Sequence, residues 1–175
     1  MNDSKQALNT LSELGRAGRQ ILFIPGNTDS RDLATYRGEN ITCIDGRQIE
    51  YEGYAFLGLG GAPLSPFNTP YQWSEQEASE RLVKAHKEDA ERLIIISHAP
   101  PKDTRLDKIW SGAHVGSQAL REFIEAVHPL LVICGHIHEA KGCERIGDTA
   151  VVNPGPAYAG FYSILELDSQ VSVVV

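Results

Sequence analysis

Two rhythms of apolar residues run along this chain. Leu8, Leu11 and Leu14 recur at helical spacing until Gly15 and Gly18 break the pattern, which predicts an N-terminal helix. The unbroken runs Ile21-Leu22-Phe23-Ile24, Leu93-Ile94-Ile95-Ile96 and Leu130-Leu131-Val132-Ile133-Cys134 read as buried strands. Ile41-Thr42-Cys43-Ile44 reads as another strand, and residues 48–51 and 54–57 flank Glu52-Gly53 as an antiparallel hairpin. Residues 58–70, rich in Gly and Pro, predict a loop. Ser74 with Glu77 forms a capping-box signature that opens a solvent-facing helix to residue 91. Leu120, Phe123, Ile124 and Val127 mark one face of a further helix, stopped by Pro129. From Cys143 onward the pattern changes to short strands at Ala150-Val151-Val152, 161–167 and 171–175, the last two joined by Asp168-Ser169. Helix-strand units followed by sequential strands predict an α+β fold of two packed sheets with outer helices. Without an internal repeat or linker, residues 1–175 read as a single domain.

Composition narrows the function. The chain is 42% apolar and 22% charged, as in a globular domain with a real core. A net charge of -7 excludes a nucleic-acid surface, because counterion release needs clustered Lys and Arg. An acidic protein that holds a phosphate ester needs a cation to do so. Cys43, Cys134 and Cys143 are an odd set without CxxC spacing, and no N-terminal segment joins a basic end to an apolar stretch. These features predict a reduced, cytoplasmic protein with buried thiols. No apolar window is long enough for a membrane span.

Candidate chemistry lies at the exits of the apolar runs. Gly26-Asn27-Thr28-Asp29 follows the first, Ser97-His98-Ala99-Pro100-Pro101 the second, and Gly135-His136-Ile137-His138 the third. A lone His at a strand end is usually surface decoration, but a Gly-His-apolar-His exit matched by His98 at another exit points to metal ligation. Imidazole nitrogens and an amide oxygen suit a transition metal, and rigid strands converge ligands better than long loops do. Asn27 also fits an ordinary turn, and Asp29 before Ser30 fits a helix N-cap better than a ligand. Asn153-Pro154-Gly155-Pro156 predicts a rigid turn that closes the rim.

These motifs together resemble the calcineurin-like metallophosphoesterase superfamily, in the small bacterial and archaeal branch with GN-x-D in place of GNHD. The resemblance runs from about Ile21 to the C-terminus and implies a four-layer α/β/β/α sandwich. It also implies that Asn27, His98 and His136 hold one divalent transition metal (Mn, Fe, Co, Ni or Zn) and that His138 reaches a second. The family pattern begins with Asp-x-His and Gly-Asp-x-x-Asp at two earlier strand ends, and neither motif is present here. Those strands lie near the middle of one sheet in the family. The expectation is therefore that roughly 60 residues are missing, that Met1 is an internal start or the chain a fragment, and that a single weak metal site remains. The edge left open predicts pairing with another chain, as a homo-oligomer.

Thr28 replaces the family's leaving-group acid, since a threonine hydroxyl cannot donate a proton with useful driving force near neutral pH. His114, in a glycine-rich loop, is the candidate to fill that catalytic role. Thr28, Phe67 and Asn68 are the candidate substrate-binding residues. The implied reaction is hydrolysis of a phosphomonoester or phosphodiester by hydroxide bridging two metals about 3.5–4 Å apart. The present chain is expected to be inactive or weak. A non-catalytic scaffold or interaction module on the same fold is the alternative. A structural zinc is disfavoured because no Cys has suitable spacing.

Overall fold

The computed structural model describes residues 2–16, 18–88, 92–167 and 171–174, with backbone alone for 2–5 and 171–174. The helical leucine pattern becomes α1 (Asn2–Gly15), followed by β1 (Ile21–Phe23), β2 (Arg37–Gly38) and β3 (Ile41–Cys43). The hairpin is β4 (Gln48–Tyr51) and β5 (Tyr54–Leu59), and its turn residues Glu52 and Gly53 take φ of 48° and 78°. Two positive φ values in a two-residue turn match the twist of the flanking strands. A short parallel pair, β6 (Ala62–Pro63) and β7 (Gln72–Trp73), leads to α2 (Glu75–Ala85). The rest of the chain forms β8 (Leu93–Ser97), α3 (Gln118–Val127), β9 (Leu131–Ile133), β10 (Gly142–Ile146), β11 (Thr149–Asn153), β12 (Ile164–Leu167) and β13 (Val171–Val174).

A six-stranded sheet in the order β10-β11-β9-β8-β5-β4 forms the centre, with β5, β8, β9 and β11 parallel. Strand alternation gives it two apolar faces. Leu57, Ile95, Val132 and Val151 are fully buried against Ala78 and Leu82 of α2 and Leu120 and Ile124 of α3. On the other face Ile94, Leu131, Ala150 and Val152 pack against Leu165 and Leu167 of the β12-β13 hairpin. Tyr54 fixes that hairpin by donating its hydroxyl to the Leu167 carbonyl at 2.6 Å. Each such large apolar side chain contributes about 1.5–3 kcal/mol through burial. Glu75 ties the two helices together, accepting from the Ser117 hydroxyl and the Ala119 N–H, both at 2.8 Å.

A smaller sheet, β1-β3-β2, carries α1 on β2 and β3 and joins the central sheet through a parallel bridge between Asp45 and Gly58. Layers of helix, sheet, strand and helix give the expected α+β sandwich. The strand layer opposite the central sheet is in two pieces, however, and β1 is an edge that pairs only with β3 among the described residues.

Several local expectations change. The run at β1 is half-buried rather than buried, and Leu8 and Leu14 of α1 stay 40% and 48% exposed, because no described strand covers the far side of β1. A cleft of about 450 Å³ opens there, lined in part by Ala7, Leu11, Phe23, Ile24 and Leu33. The helix opened by Ser74, whose side chain accepts from the Glu77 N–H, ends at Ala85 and buries Ala78, Leu82 and Ala85. Gln48 stops it: Gln48 Oε1 accepts the Lys87 N–H at 3.0 Å, which takes away a donor that would extend the helix. Residues 89–91, the end of the predicted helix, lie outside the described residues. The expected loop at 58–70 contains the end of β5 and β6. Pro63 fits there because β6 is an edge, where no ladder N–H is required. At the C-terminal end, residues 161–163 precede the strand instead of joining it, and the turn at 168–170 is outside the described residues.

Candidate metal centre

Parallel pairing of β8 with β9 sets Ile96 beside Ile133, so the chain leaves both strands at the same edge of the sheet. The exits remain joined: the Gly135 N–H donates to the His98 carbonyl at 3.0 Å. The His98 and His136 rings consequently meet with centroids 5.0 Å apart and planes inclined by 60°. His136 takes a left-handed φ of 67°, unusual for a non-glycine residue, and the Ile137 N–H closes a tight turn onto the Gly135 carbonyl at 2.8 Å. Asn153, 1% exposed at the end of β11, holds this turn by donating Nδ2 to the carbonyls of Ile137 (2.9 Å) and Ala140 (3.1 Å). Its Oδ1 accepts the Gly155 N–H at 3.0 Å, so the Asn-Pro-Gly-Pro segment does form the expected rim turn and also anchors the histidine turn.

Asn27 arrives from β1 on the opposite side. Its Nδ2 donates to Thr69 Oγ1 at 3.1 Å, which turns Oδ1 toward His98 Nε2, 3.0 Å away. The Tyr71 N–H donates to the Asn27 carbonyl at 2.9 Å and adds a backbone tether from the same loop. Gly26 permits this approach, because a Cβ there would sit 2.9 Å from His98 Cε1. Asp29 closes the turn by accepting the Gly26 N–H on Oδ2 at 2.8 Å. The N-cap role expected of Asp29 belongs instead to Ser30, which accepts from the Asp32 N–H ahead of the 3₁₀ turn at Arg31–Thr35.

Burial first, and then the charges His136 and His138 would carry, push His98 down from 6.5 to about 3. His136 is lowered by burial and by His138, while Glu139 acts in the opposite direction. Both imidazoles are therefore neutral at pH 7, the protonation state a metal requires of its ligands. Because Oδ1 can only accept, this contact is a hydrogen bond donated by His98 Nε2–H; its length of about 3.0 Å is also that of neighbouring corners of an octahedron with bonds of about 2.1 Å, so the two atoms would fit one cation once the ring proton moves to Nδ1. Among the described residues no three His, Cys, Asp or Glu side chains gather as a metal cluster. The constellation here is two imidazoles with one amide. His138 lies exposed beside them, with its Nδ1 3.2 Å from the Tyr158 hydroxyl, a contact that leaves Nε2 available.

The remaining candidates are arranged around this centre. Thr28, Phe67 and Asn68 lie on its loops, the last two in the loop whose Thr69 orients Asn27, with Phe67 84% exposed. His114 is occupied with Asp107, Nδ1 to Oδ1 2.6 Å. Asp107 is fully buried and also accepts the N–H groups of Asp103 (3.1 Å), Thr104 (3.0 Å) and Gly116 (3.0 Å), so His114 belongs to the brace of loop 103–116. A second buried carboxylate, Asp45, accepts from the Gly60 N–H (2.6 Å), from Arg81 Nη2 (2.5 Å) and from the Tyr71 hydroxyl, under the loop that tethers Asn27. Burial and Asp45 raise the Tyr71 pKa. The supporting roles of Thr69, Asp107 and Asp45 gave no signal in sequence, since each acts through a partner brought near only by folding; Asn153 was marked by its Asn-Pro-Gly-Pro turn, but its hold on the histidine turn was not.

A two-layer strand core with helices outside, and imidazoles converging with an amide at parallel strand exits, define the metallophosphoesterase class. The chain belongs to the metallophosphoesterases of the calcineurin superfamily, whose profile matches residues 2–173. It is 35% identical over 141 residues to an uncharacterized protein, MJ1162, of Methanocaldococcus jannaschii, covering 78% of this chain and 64% of that protein. It is 27% identical over 138 residues to a UPF0046 protein of Caenorhabditis elegans, covering 77% of this chain and 43% of that one. The chain thus spans less than two thirds of the length of these relatives. The crystal structure of TT1561 of Thermus thermophilus shares the fold, with a TM-score of 0.66 at 22% identity over 92% of this chain and 74% of that one. The family is metal-dependent, and its chemistry is phosphoester hydrolysis.

Proposed function

We propose that Asn27, His98 and His136 hold one divalent transition metal, that His138 faces a second, and that the site hydrolyses a phosphate ester. The observation that carries this reading is the approach of Asn27 Oδ1 to His98 Nε2 at 3.0 Å with the His136 ring alongside, three donors from three separate strand exits. A bound divalent ion supplies Lewis-acid charge to the phosphoryl oxygens and activates water near neutral pH. The chain's own residues stay uncharged at pH 7, keep the Asn27 amide oriented through Thr69, and hold the histidine turn through Asn153. Thr28 leaves the proton for the leaving oxygen to another donor, or favours esters whose leaving group needs none. The free cysteines, two of them buried, favour a reducing compartment such as the cytoplasm.

Calorimetric titration with manganese tests the site. One saturable site is expected in the wild-type chain, and His98→Ala and His136→Ala should each weaken it more than about 100-fold, since even outer partners are worth 10- to 100-fold. No saturable site in the wild type, or an affinity in both variants unchanged from the wild type, would leave the scaffold reading, which Thr28 favours. Hydrolysis of an aryl phosphodiester with manganese then separates an active centre from one that only binds metal.

A further inference from the structure

Two exposed aromatic residues lie on loops tied to the turn that carries His136 and His138, and neither is used by the core. Trp110 is 89% exposed and Tyr158 is 82% exposed. Single exposed apolar residues are ordinary, but these two sit on braced backbone. Trp110 stands at the tip of a tight loop in which the Ile109 N–H donates to the Ala113 carbonyl (3.0 Å) and the Gly112 N–H to the Ile109 carbonyl (2.8 Å). The base of the loop is locked where His114 and the Gly116 N–H converge on the buried Asp107 carboxylate. The backbone N–H of Trp110 donates to Glu139 Oε1 at 3.2 Å, next to His138. Tyr158 lies on the 3₁₀ turn Ala157–Ala159, its hydroxyl 3.2 Å from His138 Nδ1 and its ring centroid 5.5 Å from that of His138. Burying an indole would be the favourable course on folding. Instead the braced loop leaves it in solvent, on backbone tied to the residue next to His138, where a planar ring of a ligand would gain the contact that the core forgoes.

We propose that Trp110 and Tyr158 determine specificity by receiving a flat aromatic group of the phosphoester, whether an aryl ring or a nucleobase. The proposal rests on the metal-site reading above and assigns the substrate class of that same site. It also gives His114 a use: through Asp107 it is a positioning residue for the Trp110 loop.

The test is calorimetry on the full chain with saturating manganese, using phenyl phosphate, adenosine monophosphate and methyl phosphate. At least one of the two aromatic ligands should bind about tenfold more tightly than methyl phosphate, the scale of a single stacking contact. A preference for phenyl phosphate alone assigns an aryl ester, and a preference for the nucleotide alone assigns a nucleobase. Trp110→Ala and Tyr158→Ala should bring all three ligands to within about twofold of one another, while Tyr158→Phe, which keeps the ring, should retain the preference. Emission of Trp110 gives a second readout, since Trp73 is 1% exposed and reports the interior. Equal affinities for the three ligands in the wild type, or a preference that survives both alanine variants, overturns the proposal and leaves the metal site standing. Binding of none of the three while manganese still saturates one site overturns this proposal alone, whereas absence of saturable manganese binding overturns the metal reading.

Discussion

At the scale of single residues the centre depends on side chains that are held neutral and aimed. His98 has a folded pKa near 3 against an ordinary value of 6.5, with burial as the main cause. The sign of its effect on stability follows directly. Above pH 6.5 His98 is neutral in both folded and unfolded chains, so its neutral burial costs no proton. Below 6.5 the unfolded chain takes up a proton that the folded chain refuses until about pH 3, so stability falls throughout that window. His136, lowered for the same reason, adds in the same direction. Urea unfolding of the metal-free chain in chelator should therefore show stability declining from pH 6.5 downward, by at most about 1.4 kcal/mol per pH unit for His98. His98→Gln should flatten that decline. An unchanged slope in the variant would mean that the ring is open to solvent and to protons in the folded protein.

At the scale of elements, what was legible in sequence followed burial. β8 and β9 are covered on both faces, so they appear as unbroken apolar runs, and their exits located His98 and His136. β10 was not separately legible because it is an edge strand, with Cys143 and Arg145 exposed and only Ile146 buried. The end of α2 was hidden because it is decided by Gln48, which acts from β4, far away in the chain. For the site, the ligand candidates could be seen at strand exits, but the contacts that support them could not. Thr69 is 42 residues from Asn27, and Asn153 is 16 from Ile137. The apolar run at β1 was legible and its half-burial was not, since burial depends on what lies across its far edge. An edge that has a strand on one side only among the described residues, beside an apolar cleft, is a template for another strand. Sedimentation analysis should accordingly show association that rises with protein concentration. Phe23→Lys, which places a charge in the cleft lining, should suppress it. A wild-type chain that stays monomeric at its highest soluble concentration would contradict the expected homo-oligomer.

At the scale of the whole molecule, the net charge of -7 sets a constraint on how a phosphate ester can be held. With His98 and His136 kept neutral by burial, these imidazoles bring no positive charge to the site at pH 7. On the proposed metal reading, attraction for an anion comes from the cation, working against a long-range field of the same sign as the ligand. Chelation should abolish binding of phenyl phosphate, and added manganese should restore it. Salt separates this arrangement from a basic pocket. Raising ionic strength shortens the Debye length to about 8 Å at 0.15 M and screens the distant acidic residues more than the ion in contact with the phosphate. Association with the metal-loaded chain should consequently hold steady or rise modestly with salt, measured by stopped-flow emission of Trp110. A phosphate site built from Lys and Arg would lose affinity steeply under the same change and would not respond to chelator. Binding that survives chelation and falls with salt would therefore relocate the phosphate to a basic surface and remove the metal from its recognition.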